Sequence, residues 1–299
     1  MEKKRNLTLM QKMTLWFTLI ILLPSCVLSM VLYRTMTARA YDLLVEDNYA
    51  VLNIARESIS RSAASVENMV EMLSLDSDLN QLLSDGKQTQ YQRVVKILFE
   101  LGDLFSQAQL MLSGLDARVS LYFMDARIPE TYWSFLRFER LERRENYQRF
   151  LSTGKNAGWS GLDWIYPEET DLRPSGNQQM LCYNQKILSG FGECVGVIRC
   201  GVSPQKIFSP LQLEGSGDAC YVLCGGETIY ASNGAKPLPK NYDPAANKQI
   251  LDRQLYLTRE VEGMDVSLVM RLDYRALHRQ ALASGMVPFL MALGSGALM

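Results

Sequence analysis

The sequence predicts an α+β fold held between two membrane-spanning helices. Two uncharged apolar runs, 13–33 and 280–299, frame about 245 residues with the polarity of an ordinary globular domain. In this central part a helical apolar period comes first, and alternating strand patterns follow in two blocks. Helices followed by antiparallel strands, in two small modules, are typical of the α+β class.

The first apolar run, 13–33, is long enough for a membrane helix, because a bilayer core requires about 20 apolar residues in helical form. A signal peptide is the alternative, with the basic residues 3–5 at its start and a small-x-small cleavage sequence at 38–40. The run is longer than the usual signal core of about 7 to 15 residues, which favours an uncleaved anchor. The more basic flank precedes the run, so residues 1–12 are expected in the cytoplasm and the central part outside the cell.

The second run, 280–299, is less apolar and contains Pro288 and three glycines. Small residues are common where membrane helices pack together, so the sequence predicts a second membrane helix, truncated at Met299. A buried C-terminal helix of a globular domain is the alternative. A domain between two membrane helices has the layout of a receptor, and this chain looks like a receptor whose output half is missing.

Residues 34–75 are predicted to form a long stalk helix, because apolar side chains recur about every 3.6 residues without proline or glycine. The apolar stripe consists of Met36, Ala40, Leu44, Leu52, Ala55, Ile59, Ala63, Val66, Val70 and Leu73. Such a stripe packs on the chain's own domain, on a second copy of the chain, or on both. Packing on a second copy predicts a parallel homodimer along these helices.

Two modules with antiparallel sheets are predicted after the stalk: a membrane-distal module at 76–205 and a membrane-proximal module at 206–279. The distal module begins with short helices that end at Gly86 and cover 91–112. Its strands are predicted at 117–125, 179–188 and 193–202, and those of the proximal module at 219–224, 228–232, 255–261 and 266–272. Glycine-containing turns join neighbouring strands in both modules.

Cysteine usage leaves disulfide formation open. Outside the first apolar run lie five cysteines, an odd number: Cys182, Cys194, Cys200, Cys220 and Cys224. Cys182 and Cys200 can face each other across a hairpin, whereas two cysteines four residues apart on one strand are too distant for a disulfide. Buried free thiols are the predicted state. Structural zinc is not expected, since no Cys-x-x-Cys spacing occurs.

Composition and residue types exclude several function classes. Beyond residue 12 the net charge is about −4 without a basic stripe, so nucleic acid is not an expected partner. His278 is the only histidine and is expected outside the cell, which excludes a catalytic triad and a cytoplasmic phosphoacceptor. No phosphate-binding glycine loop occurs. We therefore expect no catalytic residues, no cofactor and no metal in this chain.

Three features carry a family resemblance: Leu23-Pro24 within the first apolar run, the long helix after it, and the short strand patterns at 194–198 and 221–232. Together they resemble the extracellular double Cache region of YesM-type sensor histidine kinases. The resemblance implies two PAS-like (Cache) modules and ligand sensing at the cell membrane. In that family a HAMP linker, a histidine phosphoacceptor domain and an ATP-binding domain follow the second membrane helix, and none is present here.

Because these regions are missing, the resemblance implies a cognate response regulator as a partner only through the absent cytoplasmic part. Two alternatives remain open. The chain can be the sensor half of a chemotaxis receptor or of a membrane-bound transcription regulator, which contain a similar outer region. It can also be a membrane-anchored binding protein, which needs no cytoplasmic signalling domain.

The predicted ligand site lies in the aromatic segment 131–166, which contains three of the four tryptophans. Aromatic walls with a few polar groups are typical of small-molecule sites, although rings in a small domain also serve as core. The predicted ligand-binding residues are Trp133, Arg137, Trp159, Asp163, Trp164 and Tyr183. The amino-acid-binding subset of the family carries an Arg-x-Trp-Tyr pattern that this chain lacks, so the resemblance implies a carbohydrate as the ligand.

Overall fold

A computed structural model describes residues 9–84, 89–131, 134–164, 178–212, 218–232 and 235–283. Its first helix, α1, runs without interruption from Leu9 to Ser74 and contains Pro24, so the predicted stalk is part of a longer helix. Among the described residues, no helix combines the length and the apolar character needed to cross a bilayer. Most of the predicted second membrane helix, from residue 284 onwards, lies outside the described residues.

The shorter helices lie in the chain between α1 and the first strand of the second sheet. They are α2 (Ser77–Ser84), α3 (Gln90–Val95), a π-helical turn (Lys96–Leu101), α4 (Gly102–Met111), α5 (Phe138–Glu142), α6 (Glu145–Ser152) and α7 (Pro204–Ile207). Residues 274–283 are helical as well. The Asp76 carboxylate caps α2 by accepting hydrogen bonds from the backbone N–H groups of Asp78 and Leu79, at 3.0 and 2.9 Å.

Ten strands form two five-stranded sheets. The strands are β1 (Arg118–Phe123), β2 (Phe135–Arg137), β3 (Ala157–Trp164), β4 (Gln179–Leu188), β5 (Cys194–Val202), β6 (Ala219–Cys224), β7 (Glu227–Ala231), β8 (Lys248–Leu251), β9 (Gln254–Val261) and β10 (Val266–Asp273). Their spatial orders are β2-β1-β5-β4-β3 in the distal sheet and β7-β6-β10-β9-β8 in the proximal sheet. The predicted α+β class and the seven predicted strands are confirmed, whereas β2, β3 and β8 were not predicted.

The apolar stripe of α1 is buried within the chain from Leu52 onwards. Its fully buried members are Leu52, Ile59, Val66, Val70 and Leu73. On the same helix the Glu67 carboxylate accepts a hydrogen bond of 2.8 Å from the indole nitrogen of Trp159, which lies on β3. The stripe therefore packs on its own domain over this length, and a homodimer, which stays a prediction, would need a different surface.

The two faces of the distal sheet carry different helices. On the α1 face, Tyr183 of β4 lies opposite Cys200 of β5, and its ring contacts that of Trp159 at 5.3 Å. The other face is covered by α5 and α6, and we call it the α6 face. There an apolar cluster joins the sheet to the two helices through Tyr122, Leu136, Leu141, Tyr147, Phe150 and Val197. Because neighbouring residues of a strand point to opposite faces, the register determines which side chains meet α6.

The five described cysteines are free thiols. Cys182 lies opposite Gly201, and Cys200 lies opposite Tyr183, so the two sulfur atoms project from opposite faces of the sheet. A disulfide between them is therefore excluded by the register. Burial raises the pKa of the Cys200 thiol, which keeps it protonated and unreactive at neutral pH.

The chain divides into two compact units. The larger unit, 52–251 with 256–271, contains the distal sheet and most of the proximal sheet. The described part of the smaller unit contains the beginning of α1, residues 252–255 and residues 272–283. Within it the rings of Tyr41 and Tyr274 meet edge to face at 6.0 Å, and Tyr274 stacks on His278 at 6.1 Å.

Candidate functional site

Polar side chains are buried on the α6 face of the distal sheet, where a core would normally be apolar. The register places Arg199 of β5 between Ser120 of β1 and Asn184 of β4. Arg199 is 4% exposed and Asn184 is completely buried. With four further residues they form what we call the polar cluster: Tyr122, Arg144, Tyr147, Asp163, Asn184 and Arg199. Buried groups of this kind are unfavourable unless they have partners.

Two arginines share one carboxylate at the centre of the polar cluster. Arg199 donates from Nη2 to Oδ2 of Asp163 at 2.5 Å, and Arg144 approaches the same oxygen with Nη1 at 3.1 Å. All three side chains are largely buried. The cluster therefore carries a net charge of +1, which suits the carboxylate of a ligand.

The beginning of α6 is attached to β3 by two further hydrogen bonds, from its N-cap residue Arg144 and from Asn146. Arg144 also donates to the backbone carbonyl of Trp164, and the side-chain amide of Asn146 donates to the carbonyl of Leu162. On the neighbouring strand, the Asn184 amide donates to the hydroxyl of Ser160 at 2.9 Å. These bonds hold α6 over the sheet and orient the polar cluster.

The charges of the polar cluster are stable at neutral pH. Burial raises the pKa of Asp163, but the positive charges of Arg199 and Arg144 outweigh burial and hold this pKa below its ordinary value. Burial also raises the pKa of Tyr147, so its hydroxyl stays neutral and available for hydrogen bonding. The site thus presents fixed cationic donors together with neutral hydroxyl groups.

Four buried atoms of the polar cluster have no hydrogen-bond partner in the part of the chain that the structure describes. They are the hydroxyls of Tyr122 and Tyr147, Oδ1 of Asn184 and Nη1 of Arg199. Leaving one buried polar group without a partner costs about 1–3 kcal/mol, so proteins seldom keep several such groups together. Their convergence on one face of one sheet indicates a site that a polar ligand completes.

The predicted site residues do not converge on one surface. Asp163 belongs to the polar cluster on the α6 face, whereas Trp159 and Tyr183 lie on the α1 face, where Trp159 bonds Glu67. Tyr183 is buried on the side of the sheet that faces α1, and burial raises the pKa of its hydroxyl to about 12. These two rings are thus separated from Asp163 by the thickness of the sheet.

The other described residues of the predicted site, Trp164 and Arg137, lie at the ends of strands and outside the polar cluster. Trp164 ends β3 and is 39% exposed. Arg137 ends β2 with an exposed side chain, and its backbone N–H donates to Glu130 at 2.9 Å. Trp133 lies outside the described residues. Binding by these residues stays a prediction.

Sequence reasoning missed five members of the polar cluster, and three of these, Arg144, Tyr147 and Arg199, had detectable signals. Arg144-Glu145-Asn146-Tyr147 matches the Arg-x-Trp-Tyr pattern except that asparagine replaces tryptophan. Arg199 stands in the otherwise apolar strand 195–202, where a charged residue requires a buried partner. Tyr122 and Asn184 occur in ordinary strand patterns, and nothing in the sequence distinguishes them.

A cavity of about 540 Å³ lies in the proximal module beside β6 and is lined in part by Tyr221, Leu238 and Tyr242. Its two tyrosine hydroxyl groups already have partners. Tyr221 donates to the carbonyl of Lys236 at 2.5 Å, and the Tyr242 hydroxyl lies 2.8 Å from that of Thr258. This cavity consequently offers weaker polar recognition than the polar cluster.

No protein-family model matches the sequence, and a search of curated proteins gives no match. Solved structures, however, share the fold. The ligand-binding domain of the Campylobacter jejuni chemoreceptor Tlp3 in complex with L-valine matches with a TM-score of 0.53 and 13% identity, over 81% of this chain and 98% of that one. The sensor domain of the V. cholerae histidine kinase DctB matches with a TM-score of 0.50 and 13% identity, over 78% and 98%.

The periplasmic sensory domain of the C. jejuni chemoreceptor Tlp1 also matches, with a TM-score of 0.51 and 11% identity over 81% of this chain and 98% of that one. At such identities the likeness establishes the fold, and the chain has the architecture of Cache-like sensor domains. Chemoreceptors and a histidine kinase both contain this fold, so the finer resemblance to YesM-type kinases stays a prediction.

Proposed function

We propose that this chain is the ligand-sensing part of a receptor and that the polar cluster binds a small organic acid or amino acid. The observation that carries the proposal is the group of four buried polar atoms without partners in the described structure, on the α6 face. Ligand-bound sensor domains of the same fold support it, among them Tlp3 with L-valine and with isoleucine.

The chemistry of the polar cluster favours a carboxylate. Arg199 and Arg144 together outweigh Asp163 by one positive charge, and Nη1 of Arg199 is a donor without a described partner. Asn184 Oδ1 is an acceptor and suits an ammonium or hydroxyl group. An α-amino acid presents both kinds of group, and a hydroxy acid does so as well.

A carbohydrate is the second candidate. The exposed indole of Trp164 next to Asp163 favours it, because flat aromatic surfaces suit sugar rings. A neutral sugar would leave the excess positive charge of the cluster unmatched, which makes it the weaker proposal.

Thermal-shift measurements on the full chain with L-amino acids, mono- and dicarboxylates and neutral oligosaccharides test this assignment. A ligand at 100 times its Kd stabilises the folded state by about 2.7 kcal/mol, which raises Tm measurably. We expect a compound with a carboxylate to give the largest shift. Arg144→Gln should abolish that shift, whereas Arg149→Gln, which changes an exposed arginine on α6, should preserve it.

Stabilisation only by neutral sugars would contradict the carboxylate assignment. A shift that survives Arg144→Gln in a folded protein would contradict the location of the site.

We also propose that residues 13–33 anchor the chain in the cell membrane, with the modules outside, and that two copies pair along α1. Exposed apolar side chains in the first run, such as Trp16, Phe17 and Leu28, support the anchor, although the described helices include none that meets the requirements for a span. Large apolar side chains also remain exposed on one side of α1, away from the buried stripe, and support pairing: Leu43, Val51, Ile54 and Met72.

A single cysteine experiment tests both proposals. In intact cells, a membrane-impermeant thiol cross-linker should join two Ile54→Cys chains, while Ser113→Cys, exposed in the turn after α4, should be labelled without cross-linking. The wild-type chain controls for the native thiols. Labelling of Ser113→Cys only after lysis would reverse the topology, and labelling of Ile54→Cys without cross-linking would exclude this dimer.

The output of such a receptor depends on its cytoplasmic region. We propose a histidine kinase that signals to a cognate response regulator, on the strength of the YesM-type resemblance. A chemotaxis receptor is the alternative, because Tlp3 and Tlp1 have the same fold. The coding sequence downstream of Met299 distinguishes the two: a phosphoacceptor histidine with an ATP-binding domain supports the kinase, and any other output region contradicts it.

A further inference from the structure

A cleft of about 1080 Å³ lies beside the edge strand β2, between α3, the loop after β1 and α5. None of its lining residues belongs to the polar cluster. Five arginines from three separate segments line it: Arg93, Arg127, Arg137, Arg140 and Arg143. We call it the arginine cleft. The volume is that of a small-molecule site rather than of a single ion.

Ion pairs fix several of these guanidinium groups without neutralising the cleft. Arg140 makes two hydrogen bonds to the Glu130 carboxylate, at 2.8 and 3.0 Å. The buried Arg93 and the exposed Arg127 both bind Asp125, at 3.0 and 2.8 Å. With Glu139 as the third carboxylate, five positive charges face three negative ones. Among the described residues, the arginines of the cleft thus outnumber the carboxylates by two.

Two of these carboxylates, Asp125 and Glu130, have lowered pKa values and stay ionised over a wide pH range. A hydrogen bond from Arg127 lowers the pKa of Asp125 to about 2, and a hydrogen bond from Arg140 lowers that of Glu130 below its ordinary value. The side chain of Arg137 is exposed at the end of β2, where its backbone N–H binds Glu130. Glu130 therefore positions both Arg137 and Arg140.

We propose that the arginine cleft is a second binding site, for a small anion with two or more carboxylate or phosphate groups. Guanidinium groups bind such groups in pairs of parallel hydrogen bonds, and several arginines on a rigid frame favour multivalent over monovalent anions. Arg137 would contact the anion directly, and Arg140 and Arg143 of the neighbouring helix would bind its second charge. This inference goes beyond the proposed function and does not depend on it.

Calorimetric titration of the full chain with citrate, pyrophosphate and acetate at constant ionic strength tests the proposal. Constant ionic strength is needed because salt screens exposed charges. We expect citrate or pyrophosphate to bind and acetate not to bind. Arg137→Gln should weaken binding at least about 10-fold, the usual scale for a lost charged hydrogen bond. Arg118→Gln, which changes an exposed arginine of β1 outside the cleft, should leave it unchanged.

Two results would overturn the proposal. If Arg137→Gln and Arg118→Gln reduce the affinity for the anion equally, the anion is attracted by the overall charge of the protein alone. If neither citrate nor pyrophosphate binds, the site is excluded. The Tyr147→Phe variant separates this site from the polar cluster. Binding that falls with Tyr147→Phe but not with Arg137→Gln would assign the anion to the polar cluster and contradict a second site.

Discussion

Replacing Asp163 by alanine is expected to lower the free energy of unfolding by about 3–5 kcal/mol, because it leaves the Arg199 guanidinium buried without its carboxylate. Urea denaturation, followed by circular dichroism, measures the loss. Glu145→Ala is the matched control, since it breaks an ion pair on α6 in which both side chains are exposed. Little change is expected there. Similar losses in the two variants would show that the buried pair has no special role.

The same carboxylate makes stability depend on pH. The folded state holds the pKa of Asp163 below its ordinary value, which is about 4. The stabilisation that the ionised Asp163 gives the folded state is therefore complete at pH values above the ordinary pKa, and it is lost as the pH falls through the lowered pKa. The Asp163→Asn variant should consequently lose less stability than the wild type on acidification below about pH 4. An identical acid dependence of the two proteins would contradict the assignment.

Replacing Tyr147 by phenylalanine is expected to affect stability and binding in opposite directions. Its buried hydroxyl has no partner among the described residues, so its removal should leave stability unchanged or raise it by up to about 1 kcal/mol. Affinity for the carboxylate ligand should fall about 10-fold, equivalent to about 1.4 kcal/mol. Urea denaturation and calorimetry with the strongest compound of the ligand panel measure the two effects.

Tyr242→Phe provides the opposite pattern as a control. The Tyr242 hydroxyl already bonds Thr258 in the proximal module, so its loss should cost about 1 kcal/mol of stability without changing affinity. If Tyr147→Phe behaves like Tyr242→Phe in both measurements, the hydroxyl of Tyr147 has a structural role and does not bind the ligand.

Strands with regular patterns were predictable from sequence, and irregular ones were not. In β4 and β5, apolar residues alternate with polar ones or form a continuous run, and clear turn signals flank both strands. Both strands were predicted. β3 was missed because glycines flank Trp159 and Ser160, and its register shifts between Trp159 and Leu162. Gly161 adopts a φ of +81° in this irregular part, a conformation that favours glycine. A sequence with this interruption does not resemble a strand.

The candidate site was predictable only in part, because side-chain direction decides it. Asp163, predicted as a polar group among aromatic residues, lies in the polar cluster, whereas Trp159 projects from the other face of the same strand. A shift of one residue exchanges the faces of a strand, and the irregularity in β3 occurs between these two positions. For α1 the sequence likewise predicted the apolar stripe but not the surface that covers it.

A crystal structure of the chain with the strongest compound from the ligand panel tests the central claim most directly. The account predicts the ligand on the α6 face of the distal sheet, with its carboxylate about 3 Å from Nη1 of Arg199 and a second polar group near Asn184 Oδ1. A ligand seated on the α1 face against Trp159 and Tyr183, or in the proximal cavity beside Tyr221, would contradict it.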